Sequence, residues 1–375
     1  MGVAKSSVFA NAYAGKRVLV LGHTGFKGTW LTQWLRRLGA EVTGLSLYIP
    51  SEPSAFEATK CDDGKNWKGD IRTYTDITRA IETARPEIIF HLAALPLVRD
   101  CYEDPKTAFE TNCGGTINVL EAVRHSSSVR ALVVITSDKC YENVEWIYGY
   151  REIDTLGGKD PYSASKAAAE IAFSTYFRSY FSSRSDIGVC TVRAGNVVGG
   201  GDWARDRIVP DCVRSWATGS EVVIRSPEAT RPWQHVLEPL SGYLWLGAQL
   251  LTEDGRRRLS GESFNFGPRS DVEAPVIGLV EMFKRFWPSA RWNVDRTGMG
   301  SKKEAGLLRL CCDKALSFLN WRAILSFSET IEFTANWYRT FYDGKSDLAA
   351  FTHQQIEEYE AKARKLGLKW AQAGE

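Results

Sequence analysis

The 375-residue sequence lacks any run of the roughly 18 uninterrupted apolar residues that a membrane-spanning helix needs. It reads as a soluble, cytoplasmic chain. A bias toward one sign of charge is also missing. The 47 Lys and Arg residues are interspersed with 45 Asp and Glu for a net charge of +2, which leaves no basic track for nucleic acid. Individual Lys and Arg residues are left to serve particular phosphates or the surface, and Arg256-Arg257-Arg258 reads as a solvated loop. Eight cysteines occur without a Cys-x-x-Cys pair, and five histidines show no ligand spacing, which points to reduced thiols and no metal. Cys140 borders a reactive-looking cluster but reads as packing rather than as a nucleophile. The N-terminus has no signal-peptide core. Met1 to Ser6 fits a short myristoylation pattern, yet one acyl chain anchors weakly, so residues 1–14 are expected to form a disordered leader. No internal repeat or low-complexity segment is present.

A hydrophobic content of 44% supports a large packed core. Strand-like and helix-like segments alternate through the first half. Strands are expected at Arg17 to Leu21, Glu41 to Leu47, Glu87 to Leu92, Ala131 to Thr136 and Ile187 to Arg193. Helices are expected at Thr29 to Leu38, Thr75 to Arg85, Pro105 to His125 and around Tyr162. This is the pattern of an α/β fold, a Rossmann-like doubly wound parallel sheet over residues 15–195. From residue 196 to 375 the regularity drops and Gly, Pro, Trp and Arg cluster, as expected of a smaller α/β substrate lobe with segments near 231–268 returning to the first domain. Gln354 to Trp370 reads as an exposed, charged helix.

Between the first strand and helix lies Gly22-His23-Thr24-Gly25-Phe26-Lys27-Gly28. Glycines at this spacing, after a strand and before a helix, let backbone N–H groups approach a dinucleotide pyrophosphate. Farther on, the apolar run Ala131 to Ile135 ends in Thr136-Ser137-Asp138-Lys139. Ligand crevices of open α/β sheets lie outside the carboxyl ends of strands, so this cluster stands where chemistry is placed. Tyr162 and Lys166 are four residues apart, one helical turn on one face. A fixed positive charge favours the phenolate, which makes Tyr162 a candidate acid/base at an alcohol or carbonyl carbon. Leu92, Ala93, Ala94 and Pro96 end another strand beside the expected cofactor path, with Asn112 on the next helix. Leu45 to Tyr48, ending the second strand, offers neither an acid for a ribose 2′-hydroxyl nor an arginine for a 2′-phosphate, and leaves NAD versus NADP open. For a substrate diphosphate, Arg231 is the first candidate and Arg207 the second, since a guanidinium matches phosphate oxygens in a bidentate manner. Asn196 is a candidate phosphate or sugar contact, Gly201 and Trp203 are candidates at the base, and His235 is a substrate-lobe candidate that reads as structural.

Taken together these residues resemble the extended short-chain dehydrogenase/reductase superfamily, and within it the nucleotide-sugar 4,6-dehydratases. The likeness runs from about Lys16 to Pro268. It is carried by the glycine motif, Ser137 to Asn143, Gly149 to Glu152, Leu156 to Ser163, Arg193 to Trp203 and Arg231 to Pro239. Related dehydratases place a glutamate where this chain has Lys139, and the branch that acts on CDP-D-glucose is the one that tolerates lysine. The resemblance implies NAD as cofactor, CDP-D-glucose as substrate and a homodimer or homotetramer. It adds Asp70 and Ile71 as adenine contacts and Thr136 beside the cofactor. Tyr162 would take the proton of the sugar 4-hydroxyl, with Lys166 supporting it and Ser137 or Thr136 orienting the hydroxyl. Asp138 would be the acid and Lys139 the base for water loss across C5 and C6, with Glu142 as an alternative base. The segment Lys303 to Cys311 departs from the branch's pattern and is expected to pack or to make oligomer contacts. Other readings are a dehydratase for another nucleotide, a 4-epimerase, and a non-catalytic NAD-binding sensor.

Overall fold

A computed structural model describes residues 8–224, 226–269, 273–294 and 307–372. Its main element is a seven-stranded sheet, and every strand pairing in it is parallel. In chain order the elements that build the first half are β1 (Arg17–Leu21), α1 (Phe26–Arg37), β2 (Glu41–Ser46), β3 (Asn66–Lys68), α2 (Tyr74–Ala84), β4 (Ile88–His91), α3 (Gly115–His125), β5 (Ala131–Ile135), α4 (Pro161–Tyr176) and β6 (Gly188–Arg193). Beyond them come α5 (Ile208–Ala217), α6 (Leu237–Leu250), β7 (Ser263–Asn265), α7 (Phe327–Asp343) and α8 (Leu348–Lys365). The strand order is β7-β6-β5-β4-β1-β2-β3. The chain leaves β1 for β2 and β3, then returns to β4 on the other side of β1. That reversal opens a crevice at the carboxyl ends of β1 and β4.

The apolar strand runs are needed because both faces of the sheet are covered. Leu19, Leu21, Ile89, Leu132 and Val134 face one way and pack with Ile77 and Ile81 of α2 and Val119 and Val123 of α3. Their neighbours Val18, Val20, Phe90, Val133 and Val192 face the opposite way, toward Trp30 and Trp34 of α1 and Leu240 and Leu244 of α6. Smaller two-stranded sheets, such as Thr230–Pro232 with Glu273–Pro275, lie in the second half of the chain.

The structure differs from the sequence expectation at four places. Helix α1 starts at Phe26, three residues before Thr29, because Gly25 is extended and caps it, so the glycine motif forms the helix's own first turn. The expected Pro105 to His125 helix contains a π-helical turn at Glu110–Gly114. The C-terminal helix is packed rather than solvated: Ile356, Tyr359 and Ala363 are fully buried, and Trp34 Nε1 donates to Glu360 at 2.8 Å. Residues 1–7 of the expected leader lie outside the described residues. Its remainder is ordered, with Phe9 and Tyr13 fully buried and Phe9 stacked on Trp370 at 5.1 Å. Among the described residues, no helix is long and apolar enough to cross a membrane.

Beneath the carboxyl ends of β5 and β6 lies a buried ion pair. Arg193 of β6 contacts Glu170 of α4 at 2.8 Å, and each is only 2% exposed. Glu170 also accepts from the hydroxyls of Thr136, Thr191 and Ser263. Arg193 donates to the Tyr141 hydroxyl at 2.7 Å and to the Glu152 carbonyl at 3.2 Å. Burying a charge is tolerable only when its partner is present. Arg193→Met, which strands the Glu170 carboxylate, is expected to cost about 3–5 kcal/mol. Urea unfolding checks this, and an unchanged midpoint would show that the pair does not anchor α4.

Candidate active site

The crevice begins with the glycine motif. Gly22 takes φ +90° and lies so close to the β4 loop that a Cβ there would come within 2.6 Å of the Ala93 nitrogen. A Cβ on Gly28 would collide with the Gly22 carbonyl oxygen, so helix and strand can meet only through glycine. Gly25 makes no side-chain cap, which leaves the first N–H groups of α1 for an external anion. These features fit a dinucleotide pyrophosphate. Thr24 turns its hydroxyl to the Tyr48 carbonyl at 2.7 Å and its N–H to Ser46 Oγ at 3.3 Å, fastening the cradle to the end of β2.

On the far side of the crevice, Asn112 is buried in the π-helical turn. It accepts from Leu95 N at 2.8 Å and donates to Leu95 O at 3.2 Å and Ser165 Oγ at 2.9 Å. Its amide is thus committed to holding the segment after β4, which carries Leu92, Ala93, Ala94 and Pro96, against α4. Asp70 engages its carboxylate with Arg72 at 2.6–3.1 Å, while Ile71 is buried.

The reactive groups converge at the carboxyl end of β5. Ser137 Oγ donates to Asp138 at 3.1 Å, accepts from Lys139 N at 3.2 Å, and hydrogen-bonds the Tyr162 phenol. Asp138 is 3% exposed, and a Cβ on Gly195 would overlap its carboxylate. Lys166, 5% exposed, donates to the Ile135 carbonyl at 3.4 Å. Burial pushes the Lys166 pKa down to about 8, while Glu170 one turn farther along α4 pulls it back up. The Tyr162 phenol does not follow the sequence expectation. Burial pushes it up to about 12 and Asp138 adds to the rise, whereas the Ser137 hydrogen bond and Arg207 oppose it.

The remaining expectations divide. Thr136 points away from the crevice, giving its hydroxyl to Glu170 and the Val192 carbonyl, so Ser137 is left as the hydroxyl beside Tyr162. Lys139 is partly exposed beside Asp138. Glu142 lies against Gly157, where a Cβ would come within 3.1 Å of its own Cβ. Arg207 reaches the site, held by Asp202 at 2.8 Å. Arg231 sits on the Thr230–Pro232 strand and donates to the Thr230 carbonyl at 3.0 Å. Asn196 follows β6 in the left-handed region at φ 46°. Gly201, at φ +88°, packs closely on Ala55.

Two of the expected substrate contacts are instead core residues. Trp203 is 2% exposed and embedded among Trp337, Tyr338 and Phe341. His235 is fully buried between Trp30 and Phe333, and burial pushes its pKa down to about 3. Residues 303–306 of the divergent segment lie outside the described residues. The rest of it packs, Leu310 bridging to Tyr150 and Cys311 N donating to the Tyr150 carbonyl. Two groups escaped the sequence reading. Glu170 continues the Tyr162/Lys166 spacing by another four residues, a signal that was available. Tyr243 sits within an almost wholly apolar helix, and nothing in the pattern singles it out; its buried hydroxyl has no hydrogen-bond partner among the described residues and lies in the electrostatic neighbourhood of Asp138 and Tyr162.

A sheet with its switch point at a glycine cradle, facing a Ser-Asp and Tyr-Lys cluster, defines a nucleotide-dependent enzyme of the extended short-chain dehydrogenase/reductase fold. Residues 18–265 match the NAD dependent epimerase/dehydratase family, and the chain belongs to it. It is 42% identical over 355 residues to the CDP-glucose 4,6-dehydratase of Salmonella typhimurium, covering 93% of this chain and 97% of that protein. It is 24% identical to a probable dTDP-glucose 4,6-dehydratase of Sinorhizobium fredii, over 86% of this chain and 92% of that one. The fold is similar to that of an epimerase from Methanothermobacter thermautotrophicus (TM-score 0.75, 24% identity, 89% and 95% of the two chains). A UDP-glucuronic acid 4-epimerase from Bacillus cereus, solved with UDP-glucuronic acid and NAD, is also similar (TM-score 0.72, 20% identity, 87% and 99%).

The depressed pKa of Lys166 has a cost. A lysine with a folded pKa of about 8 and an unfolded one of about 10.4 binds fewer protons folded than unfolded between those values, so stability rises with pH across that window. Below it the whole burial penalty applies. Lys166→Met is therefore expected to melt a few degrees higher than the parent at neutral pH, with the advantage fading as pH climbs through the window. Calorimetry across pH checks this; a variant that melts lower at neutral pH would overturn it.

Proposed function

We propose that this protein converts CDP-D-glucose to CDP-4-keto-6-deoxy-D-glucose, a 4,6-dehydration that leads toward deoxysugars. The observation that carries the reading is the placement of Asp138 against Ser137 and Tyr162, with Lys139 next in sequence. A 4-epimerase needs a group to move the 4-hydroxyl proton; it has no use for a second acid/base pair. The 42% identity to a CDP-glucose 4,6-dehydratase over 93% of the chain supports the choice of CDP-D-glucose over other nucleotide sugars.

The cofactor that fits the cradle is NAD, which when bound supplies the oxidant for C4 and the reductant for C6. Main-chain N–H groups at Phe26 and Lys27 would hold its pyrophosphate, with the Gly25 N–H already given to the Gly22 carbonyl at 3.2 Å, and the glycines at 22 and 28 would permit the approach. Ser137 positions the sugar 4-hydroxyl and Tyr162 takes its proton. The phenol, held up to about 12 by burial and Asp138, needs added positive charge to ionise near neutral pH. Lys166, one turn farther along α4, is the chain's own cation for this, and a bound oxidised nicotinamide would add to it. A ketone at C4 acidifies the C5 proton, so oxidation comes before water loss. Lys139 removes that proton and Asp138 protonates the departing 6-hydroxyl. Arg207, steadied by Asp202, binds a substrate phosphate oxygen.

Separate incubation with CDP-glucose, UDP-glucose, dTDP-glucose and GDP-mannose in the presence of NAD, followed by mass spectrometry, tests the substrate. Loss of one water from CDP-glucose alone is expected; loss from another nucleotide sugar would move the substrate, and none would sink the reading. Two substitutions separate the steps. Tyr162→Phe is expected to abolish oxidation, whereas Lys139→Ala should still form reduced cofactor, seen by its absorbance, and should lose water about 10²–10⁴-fold more slowly. Unchanged turnover in Lys139→Ala would remove it as the base.

A further inference from the structure

One ion pair ties the first half of the chain to the second beside the reactive cluster. Arg99 Nη1 contacts Asp206 Oδ2 at 2.9 Å. Arg99 belongs to the short helix Val98–Glu103, which follows β4. The chain leading into that helix is pinned, because Asn112 holds Leu95 at 2.8 and 3.2 Å and donates to Ser165 of α4 at 2.9 Å. Asp206 lies in the loop 202–207 ahead of α5, at φ 59°. This loop is fastened to the second half of the chain: Tyr338 of α7 donates to the Asp202 carbonyl, and Arg214 of α5 donates to the Trp203 carbonyl at 2.6 Å. The neighbour of Asp206 is Arg207, held by Asp202 at 2.8 Å. Two arginines are thus each paired with an aspartate of one loop. The pairs differ in their access to water. The Arg207 and Asp202 side chains are 39% and 8% exposed, those of Arg99 and Asp206 59% and 42%. An exposed pair of single charges is weakly held and screened by salt, so a more highly charged anion can take the place of the Asp206 carboxylate. A diphosphate is such an anion, and a guanidinium grips its oxygens in a bidentate manner.

We propose that Arg99 is a second ligand for the substrate diphosphate, held by Asp206 in the empty protein and passed to a phosphate oxygen when substrate binds beside Arg207. The inference rests on the nucleotide-sugar reading above and deepens it. The exchange makes a guanidinium–phosphate contact and releases the Asp206 carboxylate to water; no covalent bond changes. Without substrate, the loop 202–207 is joined to the Val98–Glu103 helix directly. With substrate in place, the two are joined through the diphosphate. Asp206 is then a competitor for the cation that the substrate needs, which sets the two members of the pair against each other in their effect on binding.

The test is equilibrium binding by calorimetry. CDP, UDP, dTDP and GDP are titrated into the parent protein, and the diphosphate that binds best is carried to Arg99→Met, Asp206→Asn and the double variant, with NAD as the control. Arg99→Met is expected to weaken the diphosphate about 10–100-fold, the loss of a charge-assisted contact, and to leave NAD affinity unchanged. Asp206→Asn removes the competitor and a negative charge, and is expected to tighten the diphosphate by up to about 5-fold. The double variant should bind as Arg99→Met does. A purely structural tie cannot give these opposite signs, since either substitution breaks the same pair. Equal weakening by both single variants would overturn the proposal in favour of a strut that only holds the loop. Unchanged diphosphate affinity in Arg99→Met would overturn it outright. A parent that binds none of the four diphosphates would instead defeat the nucleotide-sugar reading itself, and this proposal with it.

Discussion

The contact on which the rest of the site depends is the buried pair between Glu170 and Arg193. Helix α4 carries Tyr162 and Lys166, yet its central stretch is rich in alanine and serine, which offer little apolar grip. A charge sealed between β6 and α4 fixes the helix in rotation and in height, because sliding it by a turn would leave both ions without partners in a medium that cannot solvate them. The same carboxylate takes hydroxyl donors from the residue just after β5, from β6 and from β7, so three strand ends and one helix are referred to one point. Thr136 is spent on this anchor, and the next residue, Ser137, faces the crevice. Alternation along a strand divides the two tasks between neighbours.

Above the anchor, the crevice crowds cations. Lys27, Lys166 and Arg207 lie within one electrostatic neighbourhood, with Asp138 and Asp202 as the nearby acids. A substrate with a diphosphate group would relieve this repulsion on binding. Local imbalance of that kind costs the empty protein stability and favours the charged ligand, a trade common where a site must be both selective and reactive.

Much of this was legible in the sequence because it depends on local rules. Apolar runs at the strand positions, the glycine spacing after β1 and the four-residue step from Tyr162 to Lys166 each reflect geometry within a few residues. What stayed hidden depends on pairs far apart in the chain. Trp203 stands beside motif residues and looks available, yet it is enclosed by rings contributed from another element, Trp337 and Phe341. The direction of the Tyr162 shift was misjudged for a similar reason. Spacing gives the distance to Lys166 along the helix but says nothing of the depth of burial or of Asp138, which arrives from the turn after β5.

The clasp behind α1 bears on how separable the parts of this chain are. Trp34 lies on the back of the helix whose front end forms the cradle, and its indole is bonded to Glu360, 326 positions away in the sequence. Phe9, Trp34, Tyr359 and Trp370 form one ring cluster there. A nucleotide-binding module cut at the family boundary near residue 265 would expose that cluster to water. Anyone grafting this module onto another substrate lobe must carry α8 with it or rebuild the back of α1, since the boundary that sequence similarity draws is not a boundary of packing.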